Sequence, residues 1–391
     1  MRKITYGLVG AAFTALAATA AQAQGTIKIG VVMPYSGQFA DLATQMDNGI
    51  KLYMKQKGDT VAGKKIEIIR KDTGGVAPDV ATRLAQELVT RDNVDILAGA
   101  TLSPNAIATS KISAQAKKFY VLMNAATTVI ITMSPYSVRT SMTLPSVGST
   151  AGEWAYKKGV RKAYTMVSDF APGKDAEAAF QEAFKKAGGE IVGSVRMPVA
   201  NPDFSAFVQR AKDLNPESIF IFVPGGAQPA ALGKAFAERG VDTKKIKVIG
   251  TGEVGDEKSL QGMGDAALGL ITAWHYDFND ASKMNKDFVA AYNADFKRNP
   301  DFGAVGGYDG MHVIYEALKK TKGNADAEAL VAAAKGMKWE SPRGQIQIDP
   351  ETRDIVQTIY IRQVQKTPGG LRNVVIDKVG NVKDPGSAGK K

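Results

Sequence analysis

The sequence predicts an α/β protein of two lobes, each a doubly wound parallel sheet, joined by a three-segment hinge. Three observations carry that prediction. Apolar, β-branched runs alternate with helix-periodic segments along most of the chain, and the alternation pauses and restarts once near residue 142. Two further extended passages, near 274 and 341, would carry the chain back between the halves. A length of 391 residues also exceeds what one compact core ordinarily serves.

The first run, IKIGVVM at 27–33, is closed by Pro34-Tyr35-Ser36-Gly37 and followed by a helix over 42–55 with Met46, Ile50, Tyr53 and Met54 on one stripe. A strand at 66–70 and a helix at 78–90 come next, the latter opened by Pro78 and striped by Val80, Leu84 and Leu88. DILA at 95–98 is a buried strand, 105–116 a helix and 119–123 a strand. Strands joined through helices imply parallel pairing with right-handed crossovers. Residues 139–147, RTSMTLPSV, read as a polar extended passage.

The series then restarts: helix 148–158, strand 162–167, helix 174–187, strand 190–197, helix 205–214, strand 218–223, helix 228–239 and a last strand at 247–250. LITAWHYD at 270–277 is extended, and helices follow at 281–298, 304–320 and 325–334 before strands at 344–348 and 354–364. The expected division is 24–142 with 275–341 as the first lobe and 143–274 with 342–384 as the second. Residues 385–391 are Pro, Gly, Ser, Ala and Lys, with nothing to bury, and are expected to be disordered.

The first residues predict a destination. Arg2 and Lys3 precede an apolar run over 8–20, and Ala21-Gln22-Ala23 is a small-x-small site, so residues 1–23 read as a signal peptide cleaved after Ala23. The run is shorter than a membrane span and rich in Ala and Thr. No Cys stands at the cleavage point, which excludes a lipid-anchored thioether; with no Cys anywhere, disulfides and thiolate metal sites are excluded too. A formal net charge of +11 is spread over amphipathic segments such as Lys157, Lys158, Arg161 and Lys162. That is a solvated basic surface, not the aromatic-studded stripe a nucleic acid requires, so no nucleic-acid partner is expected.

Gly250-Thr251-Gly252-Glu253-Val254-Gly255 matches the dinucleotide pattern G-x-G-x-x-G after a strand, which would make an NAD-dependent oxidoreductase. The context argues against it. The loop lies late in its series, Leu270–Ala273 stands in the place of the ribose-binding acid, and Glu253 would set a carboxylate against pyrophosphate. There is no P-loop, no G-x-S-x-G and no H-E-x-x-H, and His275 and His312 are the only histidines.

The residues that do suggest binding are small or polar groups just after strands, where open α/β sheets hold ligands. In the first half these are Tyr35-Ser36-Gly37, Thr101-Leu102-Ser103 and Asn124-Ala125-Ala126-Thr127-Thr128; each Ser or Thr also fits a helix N-cap. In the second half they are Asp169-Phe170-Ala171-Pro172-Gly173, Pro224-Gly225-Gly226 and Gly252-Glu253. Phe170 would be an apolar wall and Gly225 and Gly226 would admit close backbone approach. Glu253 is either a surface or capping carboxylate or the partner of a cation.

IKIGVVMPYSG (27–37), DILAGATLS (95–103), NAAT (124–127), SDFAPGKDAEAAF (168–180), NPDFSAFVQRAKDLNPESIFI (201–221) and GGYDGMHVIYEAL (306–318) together, in this order, resemble the branched-chain amino-acid branch of the type I periplasmic binding proteins of ABC transporters. The resemblance covers essentially all the mature chain. It implies a monomeric periplasmic receptor without a cofactor, which closes over a small carboxylate ligand and passes it to an ABC permease in the inner membrane; a sensory receptor of the same fold is the alternative. It places the ligand carboxylate on Ser103 (or Leu102 in its stead), Ala125 and Thr127, and the covering side chain on Phe170 or Pro172. Glu253 falls where the family binds an amino group, which implies an apolar, branched-chain amino acid. The family's Tyr-Gly pair reads Pro172-Gly173 here, and the aromatic expected beside Gly226 is missing, which leaves room for an aromatic or other non-amine acid instead.

Overall fold

Residues 25–200 and 202–387 are described by the structure, a computed structural model, and they form two sheets. Residues 1–23, where a signal peptide is expected, and residues 388–391 of the expected disordered tail lie outside the described residues. The first lobe is built from β1 (Thr26–Met33), α1 (Ala40–Lys57), β2 (Thr60–Val61), β3 (Lys64–Asp72), α2 (Pro78–Thr90), β4 (Ile96–Gly99), α3 (Ser103–Ala116), β5 (Phe119–Leu122) and β6 (Ser137–Arg139). Its sheet runs β2-β3-β1-β4-β5-β6, parallel except for the short β2. Alternation along β1 sets the two faces: Ile27, Ile29, Val31 and Met33 enter one core, while Val32 enters the other with Leu97 and Leu122.

The second lobe holds α4 (Leu144–Lys157), β7 (Lys162–Ser168), α5 (Ala171–Ala187), β8 (Glu190–Met197), α6 (Phe204–Asp213), β9 (Ser218–Phe222), α7 (Gln228–Glu238), β10 (Lys247–Thr251), α8 (Glu257–Met263) and β11 (Ile271–Trp274). The chain then returns to the first lobe, where α9 (Lys283–Phe296), α10 (Phe302–Lys320) and α11 (Ala327–Ala334) pack against α1 and β5. It ends with β12 (Lys338–Ser341), β13 (Gly344–Ile348), β14 (Ile355–Thr367) and β15 (Gly370–Val382).

The second sheet is mixed. Its order is β12-β13-β14-β11-β10-β9-β7-β8, with β15 also on β14; β7 to β11 pair in parallel, but β14 runs antiparallel to β11 and β15 antiparallel to β14. The expectation of a wholly parallel lobe gives way to a sheet closed on its edge by a hairpin. β14 serves both halves: Ile355 at its start is in the first core with Trp339, Ile346 and Ile348, while Ile359 and Ile361 are in the second.

Two further expectations change. Residues 144–147 are not extended: α4 starts at Leu144, with Pro145 in its first turn, where a missing N–H costs nothing, and the Thr143 hydroxyl accepting from Ser146 N. Pro385–Ser387 forms a 3-10 turn because Asp384 is anchored, accepting from the Thr128 hydroxyl at 2.7 Å and from Gly386 N at 2.8 Å.

Buried charge ties the crossings together. Arg343 ion-pairs with Asp309 on α10 at 2.9 Å, with both side chains at most 1% exposed. Its guanidinium also donates to Ser141 O at 2.8 Å, to Gln357 Oε1 at 2.6 Å and to Thr140 O. Asp309 accepts in addition from Trp339 Nε1 at 3.0 Å and Ser341 Oγ at 2.8 Å. The first crossing, the β12–β13 hairpin and β14 thus meet on one ion pair.

Candidate functional site

Strand ends from both lobes converge on the space between them. From the first lobe, β4 ends at Gly99 and Ala100, both at positive φ, which turns the chain so that Thr101, Leu102 and Ser103 lead into α3. Ser103 is the first residue of that helix and Pro104 the second. The N–H groups of a first turn have no partner in their own helix, so this end faces the cleft as a donor site.

The loop after β5 is braced from two sides. Ser103 Oγ accepts from Ala126 N and Thr127 N, both at 3.3 Å, and Asn124 Nδ2 donates to Thr101 O at 2.8 Å. Behind it, fully buried Arg139 donates to Ala125 O at 2.9 Å and Thr127 O at 2.8 Å while pairing with Asp354 at 2.8 Å. Ala125 packs into the first-lobe core, whereas the Thr127 side chain lies by Asp175 of α5, from the second lobe.

From the second lobe come Phe170 and Pro172 at the start of α5, Phe222 at the end of β9 with Pro224 and Gly225 after it, and Glu253 after β10. The rings of Phe170 and Phe222 lie 5.9 Å apart at 31°. Together with Phe39, Leu42, Met142, Leu144 and Phe302 these residues line a small, partly open inner cavity of about 40 Å3. Its polar lining is Thr101, Ser103 and Asn124 on one lobe and Glu253 on the other.

Of the residues singled out in the sequence, Leu102, Ser103, Phe170, Pro172 and Glu253 come together on this cavity. Ala125 and Thr127 are one position out of register with its lining, which Asn124 and Ala126 supply. Gly226 lines an outer cleft of about 560 Å3, where its positive φ holds it against the Gln38 carbonyl of the first lobe. Phe39, Leu42, Met142, Leu144, Phe222 and Phe302 were not singled out; each reads in the sequence as an ordinary core or crossing residue.

Glu253 is 7% exposed and its Oε2 makes no hydrogen bond among the described residues. Burial pushes its carboxyl up to about 7, against lowering by the nearby Thr251 hydroxyl; Asp256 adds to the rise and Arg362 opposes it. At neutral pH this group is available both as a hydrogen-bond donor and as an acceptor. The glycines around it serve packing: a side chain at Gly252 would overlap the Trp274 ring. A buried, uncompensated acid in this loop is the reverse of a pyrophosphate cradle.

His275 follows Trp274, 1% exposed, with neither ring nitrogen hydrogen-bonded among the described residues. Burial and then the Arg343 and Arg362 charges hold it well below its usual range, so it is neutral. His312 stacks on Trp339 at 5.1 Å and contacts the Tyr53 hydroxyl at 3.2 Å. Among the described residues no group of His, Cys, Asp or Glu is arranged to hold a metal ion, and no helix is long and apolar enough to cross a membrane.

Two α/β lobes bridged by several crossings, with a largely apolar cavity between them and polar groups from both lobes on its lining, have the form of a solute receptor. A periplasmic binding protein family model matches residues 26–369, and the chain belongs to that family. It is the solute-binding receptor of an ABC transporter, and its homologues are solute-binding proteins, which are not enzymes. Among curated relatives, the Leu/Ile/Val-binding protein homolog 6 of Brucella melitensis is 41% identical over 373 residues, 95% of each chain. Among solved structures, an ABC-transporter solute-binding protein from Rhodopseudomonas palustris BisB5 in complex with 3,4-dihydroxybenzoic acid is 53% identical, with a TM-score of 0.89 over 92% of this chain and 99% of that one. A second, from Rhodopseudomonas palustris HaA2 in complex with p-hydroxybenzoic acid, is 38% identical, with a TM-score of 0.90 over 93% of this chain and 100% of the other.

Proposed function

We propose that this protein is a periplasmic receptor for a hydroxylated benzoate, which it delivers to a permease in the inner membrane. The observation that carries the reading is the inner cavity itself. Its walls are aromatic and aliphatic, and Glu253, its one ionisable lining residue, has a carboxyl pushed up to about 7. On this reading a flat aromatic ring would pack against Phe170, Phe222 and Phe302 as the lobes part slightly to admit it, with its carboxylate toward the start of α3, Ser103 and Asn124 and its ring hydroxyl toward Glu253. The ligands of the two Rhodopseudomonas relatives support the same chemistry.

Glu253 equally suits the ammonium of an amino acid, the reading that the Brucella relative's name favours. The two ligands move protons in opposite directions. An ammonium stabilises ionised Glu253, so an amino acid binding near pH 7 releases a proton; a phenol hydroxyl brings no charge and completes the burial, so a hydroxybenzoate takes up a fraction of one. Calorimetry of 4-hydroxybenzoate near pH 7 in buffers of different ionisation enthalpy is expected to give net uptake. A thermal shift accompanies it, since ligand at roughly 100-fold excess over Kd stabilises by about 2.7 kcal/mol. No shift with any benzoate, together with proton-releasing binding of leucine or valine, would replace the aromatic acid by an amino acid.

A further inference from the structure

The inner cavity and the outer cleft share only three lining residues, Leu42, Gly225 and Phe302. These stand as a partition between an inner space of about 40 Å3 and an outer one of about 560 Å3. Leu42 and Phe302 come from the first lobe and Gly225 from the second, so the partition is complete only when the lobes are closed. A methyl group on Gly225 would lie 3.6 Å from Phe302 Cζ, so the ring tip faces the bare backbone across the cleft.

The partition is held firmly. Phe302 is the first residue of α10, and its N-cap, Asp301, accepts from Ala304 N at 3.0 Å. Its ring meets the Trp274 ring edge-on at 5.2 Å and 86°, and Trp274 is itself seated flat on Gly252. Gly303 lets Leu42 draw alongside: a Cβ there would lie 2.7 Å from Leu42 Cδ1. A ring fixed on three sides is a wall, not a side chain that swings aside for a longer ligand.

We infer that Phe302, closing on Gly225 beside Leu42, sets the maximum length of ligand that the closed receptor accepts, and that the outer cleft is the space a longer ligand would occupy if the ring were removed. The inference rests on the inner cavity being the ligand site, as proposed above. It assigns Phe302 a selecting role distinct from the contacts that hold the carboxylate.

The test measures affinity for 4-alkoxybenzoates of increasing chain length in the wild type, Phe302→Ala, Phe302→Leu and Gly225→Ala. In the wild type affinity is expected to break by more than about tenfold once the chain outgrows the inner cavity, a step of the size that one or two methylenes make in a filled pocket. Phe302→Ala is expected to remove the break, Phe302→Leu to move it to longer chains and Gly225→Ala to move it to shorter ones. Gly225→Ala guards against a folding defect, because Gly225 has no positive φ and a Cβ there meets only ordinary contact. The same break in all four proteins, or undiminished wild-type binding of the longest chain, overturns the inference. If the wild type binds no benzoate, the aromatic-acid reading fails, and straight-chain α-amino acids of increasing length then read the partition with the same outcomes.

Discussion

Arg343→Met is expected to destabilise the folded protein by about 3–5 kcal/mol, because it leaves Asp309 ionised and buried with no cation beside it. The substitution keeps the apolar stem and removes the bonds to Thr140, Ser141 and Gln357 as well as the ion pair. Urea and thermal unfolding read the loss. The double variant Arg343→Met, Asp309→Asn is expected to recover part of it, since a neutral amide still accepts from Trp339 Nε1 and no longer needs a counter-charge. A loss under about 1 kcal/mol for the single variant would mean that the pair contributes geometry but little stability. The effect is large because the ion pair joins the first crossing to α10 and β14.

Glu253→Gln is expected to stabilise the ligand-free protein, and to do so only above mildly acidic pH. The ordinary Glu carboxyl titrates at 4.5 and the folded one at about 7, so the folded state holds its proton more tightly. As pH rises through that window the unfolded chain ionises first, and wild-type stability falls until both states are ionised. A shift of this size corresponds to about 3 kcal/mol. The variant has no such dependence. The stability difference is therefore expected to be near zero at pH 4.5, to grow through the window and to level off above about 7. A constant difference from pH 4.5 to 8 would contradict the assignment. Affinity separates the ligand classes: a hydroxybenzoate keeps a hydrogen-bonding partner in the substituted amide and loses under about 1 kcal/mol, whereas an amino acid loses about 1.5–3 kcal/mol with the charged bond.

The α/β series is legible in the sequence because parallel strands buried on both faces read as unbroken apolar runs: IKIGVVM lies within β1, and IFIF lies within β9. β15 is not, because GLRNVVIDKVGNV lies on a sheet edge and mixes exposed Val375, Ile376 and Val379 with Arg, Asn, Asp and Lys, which hides any simple period. α8, EKSLQGM, is too short to show a helical stripe. At α4 the difference is chemical: Pro145 suggests an extended chain, yet it stands in a first turn that tolerates it.

The site divides along the same line. Its polar groups follow strand ends and carry a local signal, which is why Ser103 and Glu253 could be singled out. Its apolar walls carry none, since Phe302, Phe222 and Met142 have the same pattern as any core residue until the lobes meet. The bracing of the loop that holds Ala125 and Thr127 is not legible, since Arg139 grips both carbonyls while paired with Asp354, far along the chain.

The placement of β14 also orders the life of the chain before it folds. β11 is flanked on one side by β10 and on the other by β14, with Thr272 paired to Arg362, 90 positions later. During synthesis the second sheet therefore keeps an open, apolar edge until almost the whole polypeptide has been made, and loop closure over that distance is slow. A truncated nascent chain cannot complete this lobe. For a protein bound for export, as proposed, that delay keeps the second lobe unfinished until the last strands have been made.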